Sequence, residues 1–148
     1  MNYSFGHIGV AVKDLERSLA FYCGTLGFKK CYSMRKDDGD IWLQFVEIAP
    51  GQHLELFPGE DVHQYKDMGL KHIAIMVDDL SALIADLGSR GAYLYAGPAG
   101  ATEMKTPIEV PQNTRCHSYS GWTKDPDGNL IEFMQLTPDS LMVHPEQW

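Results

Sequence analysis

The hydrophobic pattern of this chain occurs twice. Residues 7–12 read HIGVAV, residues 72–77 read HIAIMV, and an Asp-Leu pair follows each copy within three residues. Successive side chains of a strand point to opposite faces, so the alternation predicts a strand in each copy. In the first copy Ile8, Val10 and Val12 share one face and His7 lies on the other. The repeat predicts two modules of similar design.

A helix follows the first strand over about residues 14–26, where apolar side chains recur at helical spacing. Asp14 can cap its N terminus, and Gly27 is suited to end it. The apolar stripe consists of Leu15, Leu19, Tyr22 and Leu26. Three strands are predicted after the helix, at residues 28–34, 41–48 and 53–57, the first two joined by a turn at residues 36–39.

The second half predicts the same order of elements. A strand at residues 72–77 and a helix at about 79–89 precede strands at 93–95, 116–123 and 130–136. The predicted fold class is therefore α+β, with βαβββ modules at residues 1–64 and 65–148 that together make one compact domain. Residues 97–114, rich in Gly and Pro, form either a flap over a site or a plain surface loop.

Composition narrows the classes of function. With 44% hydrophobic residues, a net charge of −8 and no cluster of Lys or Arg, the chain of 148 residues is a poor candidate for nucleic-acid binding. No apolar run approaches the ~20 residues of a transmembrane helix, and the N terminus lacks the features of a signal peptide, so we expect a cytoplasmic protein. Three cysteines without Cys-x-x-Cys spacing predict reduced thiols.

Candidate chemistry follows from two glutamates inside apolar strands. Glu55 and Glu132 lie in runs built to be buried, where an unpaired carboxylate costs several kcal/mol. Together with His7 and His72 they form a His, Glu, His, Glu series, one pair in each half. Two imidazoles and two carboxylates suit one divalent metal ion per site, among Ni²⁺, Zn²⁺, Co²⁺, Fe²⁺ and Mn²⁺. His53 is predicted on the same face as Glu55. Three roles are open to it: an outer partner of Glu55, an alternative metal ligand or a residue at the rim of the site.

Several motifs resemble the vicinal oxygen chelate superfamily and, within it, glyoxalase I (lactoylglutathione lyase). They are HIGVAV at 7–12, DLERSLAFY at 14–22, LGF at 26–28, KHIAIMVD at 71–78 and DPDGNLIEF at 125–133. The resemblance covers about residues 5–137. It implies paired βαβββ modules around a divalent metal ion, commonly in a homodimer in which two chains contribute to each site.

The resemblance also implies roles for the four residues. His7, Glu55, His72 and Glu132 match the four ligands of glyoxalase I, whereas a ring-cleaving extradiol dioxygenase would use only His7, His72 and Glu132. Glu55 therefore favours isomerisation next to a carbonyl through an enediolate, on a small carbonyl compound or the thiol adduct of a 2-oxoaldehyde. Glu132 is the first choice of catalytic base and Glu55 the second.

Two departures from bacterial glyoxalase I concern the substrate. Ala11 and Gly59 stand where that enzyme carries an arginine and an asparagine for glutathione, which weakens glutathione as the expected thiol. The candidates for substrate contact are Trp42, Phe57, Trp122 and Arg115. A third hypothesis, beside the isomerase and the dioxygenase, is a non-catalytic protein that binds a small aromatic molecule or drug. Its expected cleft is lined by Trp42, Phe57, Tyr93 and Trp122.

Overall fold

A computed structural model describes residues 6–59, 72–97, 102–107 and 118–140. The chain divides into two compact units: unit 1 comprises residues 1–70 with Asp125–Asp127, and unit 2 comprises residues 71–124 and 128–148. The module boundary predicted at residues 64 and 65 lies outside the described residues. Within these ranges no helix is long and apolar enough to span a membrane.

Unit 1 has the predicted βαβββ order. Its elements are β1 (His7–Val12), α1 (Leu15–Leu19), a π-helical segment (Ala20–Thr25), β2 (Lys29–Arg35), β3 (Ile41–Ala49) and β4 (Gln52–Pro58). The sheet order is β1-β4-β3-β2, with β1 parallel to β4 and the other neighbours antiparallel. The alternation predicted for β1 is confirmed, because Val10 and Val12 are buried and His7 is exposed.

The first helix differs from the prediction of one α-helix over residues 14–26. Asp14 caps α1 as predicted, its side chain accepting a hydrogen bond from the backbone N–H of Arg17 at 2.9 Å. After Leu19, however, the backbone widens to π-helical hydrogen bonds, such as that from Leu26 N–H to the Phe21 carbonyl at 2.9 Å. Side-chain periodicity does not distinguish a 3.6-residue turn from a short π-helical insertion.

Unit 2 contains β5 (Ile73–Met76), α2 (Leu80–Ser89), β6 (Ser118–Lys124) and β7 (Leu130–Leu136). The sheet order is β5-β7-β6, with β5 parallel and β6 antiparallel to β7. The prediction of a strand at residues 93–95 is wrong. Tyr95 forms only isolated bridges, to Trp122 and Glu103, because the pairing with β6 lasts for one residue before the chain pairs with residues 102–104.

A glycine in β6 provides the space for this irregular segment. A Cβ at Gly121 would lie 2.9 Å from Cδ1 of Leu94 and 3.1 Å from Sδ of Met104, both of which are buried. Only a residue without a side chain permits this close approach. The core of unit 2 is therefore closed on one side by residues outside the regular strands.

Segment Asp125–Asp127 is fastened to the helical part of unit 1. The buried hydroxyl of Tyr22 donates to Oδ2 of Asp125 at 2.9 Å, and the Arg17 guanidinium donates to Oδ1 of Asp127 at 2.9 Å. The first half of the DPDGNLIEF motif thus has a structural task in this chain. Only the glutamate near its end, Glu132, belongs to the predicted site.

These contacts predict alkaline sensitivity centred on Tyr22. Burial, followed by the charge of Asp125, raises the pKa of the Tyr22 phenol well above its usual value near 10. A raised folded-state pKa means that the phenol contributes its full stability below pH 10. That contribution is lost, at about 1.4 kcal/mol per pH unit, as the pH rises above 10.

We expect Tyr22→Phe to lower the free energy of unfolding at pH 7 by about 1–3 kcal/mol, because a buried hydrogen bond to a carboxylate is lost. Above pH 10 the variant should lose stability less steeply than the wild type. Urea unfolding at pH 7 and at several values between 9.5 and 11.5 measures both effects. Equal slopes for the two proteins would contradict this role for Tyr22.

Both described cysteines, Cys23 and Cys31, are free thiols, as predicted. Burial raises the pKa of the Cys23 thiol, which keeps it protonated near neutral pH. A protonated thiol is a poor nucleophile and a poor metal ligand. Cys116 lies outside the described residues.

Candidate metal centre

In unit 1, the parallel pairing of β1 with β4 brings His7 to Glu55. Gly9 is the register partner of Glu55, and His7 lies two residues before Gly9, so the imidazole and the carboxylate share a face. His7 Nε2 lies 3.4 Å from Glu55 Oε2. The carboxylate side chain is 13% exposed, and the imidazole is more open to solvent.

Unit 2 repeats this arrangement. Ala74 is the register partner of Glu132, which places His72, just before β5, on the same face as the carboxylate. His72 Nε2 lies 3.3 Å from Glu132 Oε2, and the Glu132 side chain is 10% exposed. The Trp122 ring meets the His72 ring edge to face, with centroids 5.0 Å apart, and limits the rotation of the imidazole. We call each His/Glu pair a half-site.

The charges of the half-sites suit a cation. Among the ion pairs of the described residues, Glu55 and Glu132 are matched only with histidines and with no Lys or Arg. Two largely buried carboxylates without a Lys or Arg beside them in the described residues are unfavourable. A divalent ion offers that charge, and imidazole nitrogen with carboxylate oxygen is a donor set used by the transition metals named above.

Each unit by itself supplies two of the four predicted ligands. No group of three or more His, Cys, Asp or Glu side chains that could hold a metal ion occurs within the described ranges. The structure thus brings His7 to Glu55 and His72 to Glu132. The joining of the two half-sites around one ion stays a prediction.

A serine that sequence reasoning missed completes the unit 2 half-site. The buried hydroxyl of Ser120 donates to Oε1 of Glu132, the oxygen that does not face His72. Trp122 is the register partner of Glu132, so Ser120, two residues earlier in β6, lies on the same face. The alternation in β6 is visible in the sequence, but the register that brings Ser120 to Glu132 is not.

The third histidine near these pairs is engaged elsewhere. His53 lies on the face of Glu55, yet its Nε2 is 3.9 Å from Oε1 of Glu47. The other carboxylate oxygen of Glu47, Oε2, lies 3.5 Å from the Lys29 ammonium. His53 therefore belongs to a polar group at the edge of the half-site. Of the three roles considered for it, the geometry favours the rim residue.

Several aromatic rings lie in the sheet that carries the unit 1 half-site. Phe45, the register partner of Glu55, stacks on Tyr32 with centroids 4.3 Å apart. Of the predicted substrate contacts, Trp42 and Phe57 lie together, with centroids 6.3 Å apart. In unit 2, Trp122 adjoins His72.

Of the other predicted contacts, Tyr93 lies in the described residues. The exposed Tyr93 ring has the Lys105 ammonium 5.6 Å from its centroid. Arg115 lies outside the described residues.

The family model of the Glyoxalase/Bleomycin resistance protein/Dioxygenase superfamily matches residues 4–133. The chain belongs to this superfamily. The resemblance inferred from the motifs is thereby confirmed, as is the predicted α+β fold class. The superfamily includes lyases, isomerases and dioxygenases, so membership supports an enzyme without specifying its reaction.

Relatives of this superfamily member differ in what they do. A probable lactoylglutathione lyase from Synechocystis sp. is 26% identical over 135 residues, 88% of this chain and 94% of that protein. A catechol-2,3-dioxygenase from Bacillus subtilis is 30% identical over 142 residues, 90% of this chain but 43% of that protein. The solved structure of an antibiotic binding protein from Streptomyces sp. CB03234 has a TM-score of 0.67 at 23% identity and covers 93% of this chain and 99% of that one.

Proposed function

We propose that this superfamily member is a divalent-metal-dependent lyase or isomerase of the glyoxalase I type, which transfers a proton next to a carbonyl. The observation that carries the proposal is the duplicated half-site, a largely buried carboxylate beside an imidazole in each unit, with no Lys or Arg partner among the described residues. In the proposal His7, Glu55, His72 and Glu132 together hold one divalent ion. A facial triad would need only three of them.

The reaction requires a base that takes a proton and gives it back. A bound divalent ion would polarise two neighbouring oxygens of the substrate and stabilise the negative charge that develops on them. One of the two glutamate carboxylates removes the proton from the carbon next to the carbonyl, and the same carboxylate delivers it to the neighbouring carbon. One C–H bond breaks and one forms, and the hydroxyl proton leaves one of the two neighbouring oxygens as the other gains a proton, so the isomerisation needs no external oxidant.

The surroundings of the half-sites bear on the substrate. Ala11 and Gly59 occupy the positions that carry the glutathione-binding side chains in bacterial glyoxalase I. Gly59 adopts a φ of 77° just after β4, and its N–H donates to the Val12 carbonyl at 3.0 Å. A turn residue without a side chain offers no amide to a peptide-like thiol. The proposal therefore names a small carbonyl compound or its thiol adduct, with glutathione as one thiol among several.

The proposal includes a homodimer, the arrangement implied by the resemblance, in which half-sites from two copies complete each metal site. Light scattering measures the oligomeric state. We expect twice the mass of the 16.6 kDa chain.

The proposed activity is tested on protein loaded with Ni²⁺, Zn²⁺, Co²⁺, Fe²⁺ or Mn²⁺ in separate samples. We expect conversion of the adducts of methylglyoxal with glutathione, cysteine or other small thiols to thioesters, followed by ultraviolet absorbance. Oxygen uptake with catechols should be absent. Catechol-dependent oxygen uptake without thioester formation would refute the isomerase and favour the ring-cleaving dioxygenase.

The aromatic rings favour a second candidate, a non-catalytic binding protein for a small aromatic molecule. Tyr32 is 59% exposed and Trp42 is 37% exposed, and they lie beside Phe45 and Phe57, respectively. Exposed, preorganised rings provide stacking surfaces for a planar ligand. Tight binding of an aromatic ligand, measured by quenching of tryptophan fluorescence, would support this candidate if the protein bound no metal ion and left every adduct unchanged.

A further inference from the structure

The two carboxylates of the proposed site are held differently. We propose that Ser120 is a positioning residue, which fixes the carboxylate of Glu132 as a stationary ligand and leaves Glu55 as the carboxylate that moves during proton transfer. This inference rests on the proposed function and assigns separate tasks to the two half-sites.

Glu132 has a partner for each carboxylate oxygen. Oε1 accepts the hydrogen bond of Ser120, and Oε2 lies 3.3 Å from His72 Nε2. The carboxylate is thus held in one rotation about its terminal bond, with Oε2 on the imidazole side. Because Ser120 is itself buried at 6% exposure, a rotation of Glu132 would strand both a buried hydroxyl and a buried carboxylate oxygen.

Within the described ranges, Glu55 accepts no hydrogen bond equivalent to that from Ser120. Phe45 is the register partner of Glu55, and Trp122 is the register partner of Glu132. Ser120 lies two residues before Trp122. The equivalent residue in unit 1 is therefore Leu43, two residues before Phe45. Leu43 is buried and has no hydrogen-bond donor in its side chain. In the described part of the chain, the one polar side chain recorded near the Glu55 carboxylate is His7, at 3.4 Å.

A carboxylate that carries a proton between two carbons changes its position during the cycle, whereas a carboxylate that orients a cation does not. The tether of Glu132 favours the second task and the missing tether of Glu55 favours the first. Sequence alone suggested Glu132 as the first choice of base, and Ser120 reverses that preference.

The test uses variants of one residue and a control from the same strand. Ser120→Ala removes the tether, whereas Ser120→Thr keeps the hydroxyl and Ser120→Val, of the same shape as threonine, lacks it. Ser118→Ala is the matched control, because Ser118 is on the same strand and face, is fully buried, and its hydroxyl has no hydrogen-bond partner in the described ranges.

Affinity for Co²⁺ is measured by calorimetry and by the visible absorption of the bound ion. We expect Ser120→Ala to weaken Co²⁺ binding by about 10- to 100-fold, the usual effect of losing a group that orients a metal ligand. Ser120→Val should bind Co²⁺ at least about tenfold more weakly than Ser120→Thr, and Ser118→Ala should match the wild type. Circular dichroism confirms that each protein is folded.

If Ser120→Ala does not fold, the comparison of Ser120→Thr with Ser120→Val still tests whether the hydroxyl positions Glu132. Equal Co²⁺ affinity for Ser120→Thr and Ser120→Val, or equal losses in Ser120→Ala and Ser118→Ala, would overturn the positioning role. Failure of the proposed function gives a different result from failure of the positioning role. The wild type itself would then bind no metal ion, and the role of Ser120 would be refuted together with the proposed function.

Discussion

Glu132→Gln is expected to abolish metal binding while leaving the fold intact. Glutamine has the shape of glutamate, its Oε1 can still accept from Ser120, and its amide can donate to His72 Nε2. Both neighbours therefore keep a partner. The negative charge is lost, and a neutral amide is a much weaker ligand for a divalent ion.

We expect the affinity of Glu132→Gln for Ni²⁺ or Zn²⁺ to fall by more than about 100-fold, which exceeds the usual effect of altering a residue that only orients a ligand. Isomerase activity should disappear with the metal ion, and the Tm of the metal-free protein should stay within about 2 °C of the wild type. A variant with full activity and its metal ion still bound would show that Glu132 is neither a needed ligand nor the base.

Glu55→Gln is expected to separate catalysis from metal binding. His7, His72 and Glu132 would remain as three ligands, and the carboxylate that Ser120 holds in place would be among them, so the proposed site should retain a divalent ion with a loss of affinity of about tenfold. The untethered carboxylate that we assign to proton transfer would be gone. We expect kcat to fall by about 10²- to 10⁴-fold, the usual contribution of general acid–base catalysis, with a much smaller change in KM.

The measurement is steady-state kinetics of Glu55→Gln on the best methylglyoxal adduct, with protein saturated by the metal ion. Ser118→Ala, a change at a buried serine of the strand that pairs with Glu132, serves as the control. If Glu55→Gln kept its kcat, proton transfer would have to be assigned to Glu132. If Glu55→Gln also bound Fe²⁺ fully and consumed oxygen with catechols, the dioxygenase triad of His7, His72 and Glu132 would be the correct interpretation.

The parts of the fold that could be predicted are those encoded by local periodicity. Alternation of apolar and polar residues is a property of each strand by itself, so β1 and β7 were predicted with their observed bounds. Capping is local as well, since Asp14 and Asp79 bond to N–H groups three residues ahead. The His/Glu pairs could be predicted because the repeat places one histidine and one glutamate inside an apolar strand in each half.

The features that could not be predicted depend on neighbours distant in sequence. The hydrogen bond from Ser120 to Glu132 requires one particular register of β6 against β7. Many other alignments of the two strands fit the alternation of apolar and polar residues equally well. The brief pairing of Tyr95 depends on space left by Gly121. The π-helical end of the first helix has the same apolar spacing as an α-helix.

The central claim is that both half-sites hold one metal ion together. Its most direct test is the metal content per chain, measured by mass spectrometry on wild-type protein and on Glu132→Gln after purification without chelators and loading with Ni²⁺ or Zn²⁺. We predict one ion per chain in the wild type and almost none in Glu132→Gln. Two ions per chain in the wild type, with one retained by the variant, would show that each half-site binds metal on its own and would contradict the account.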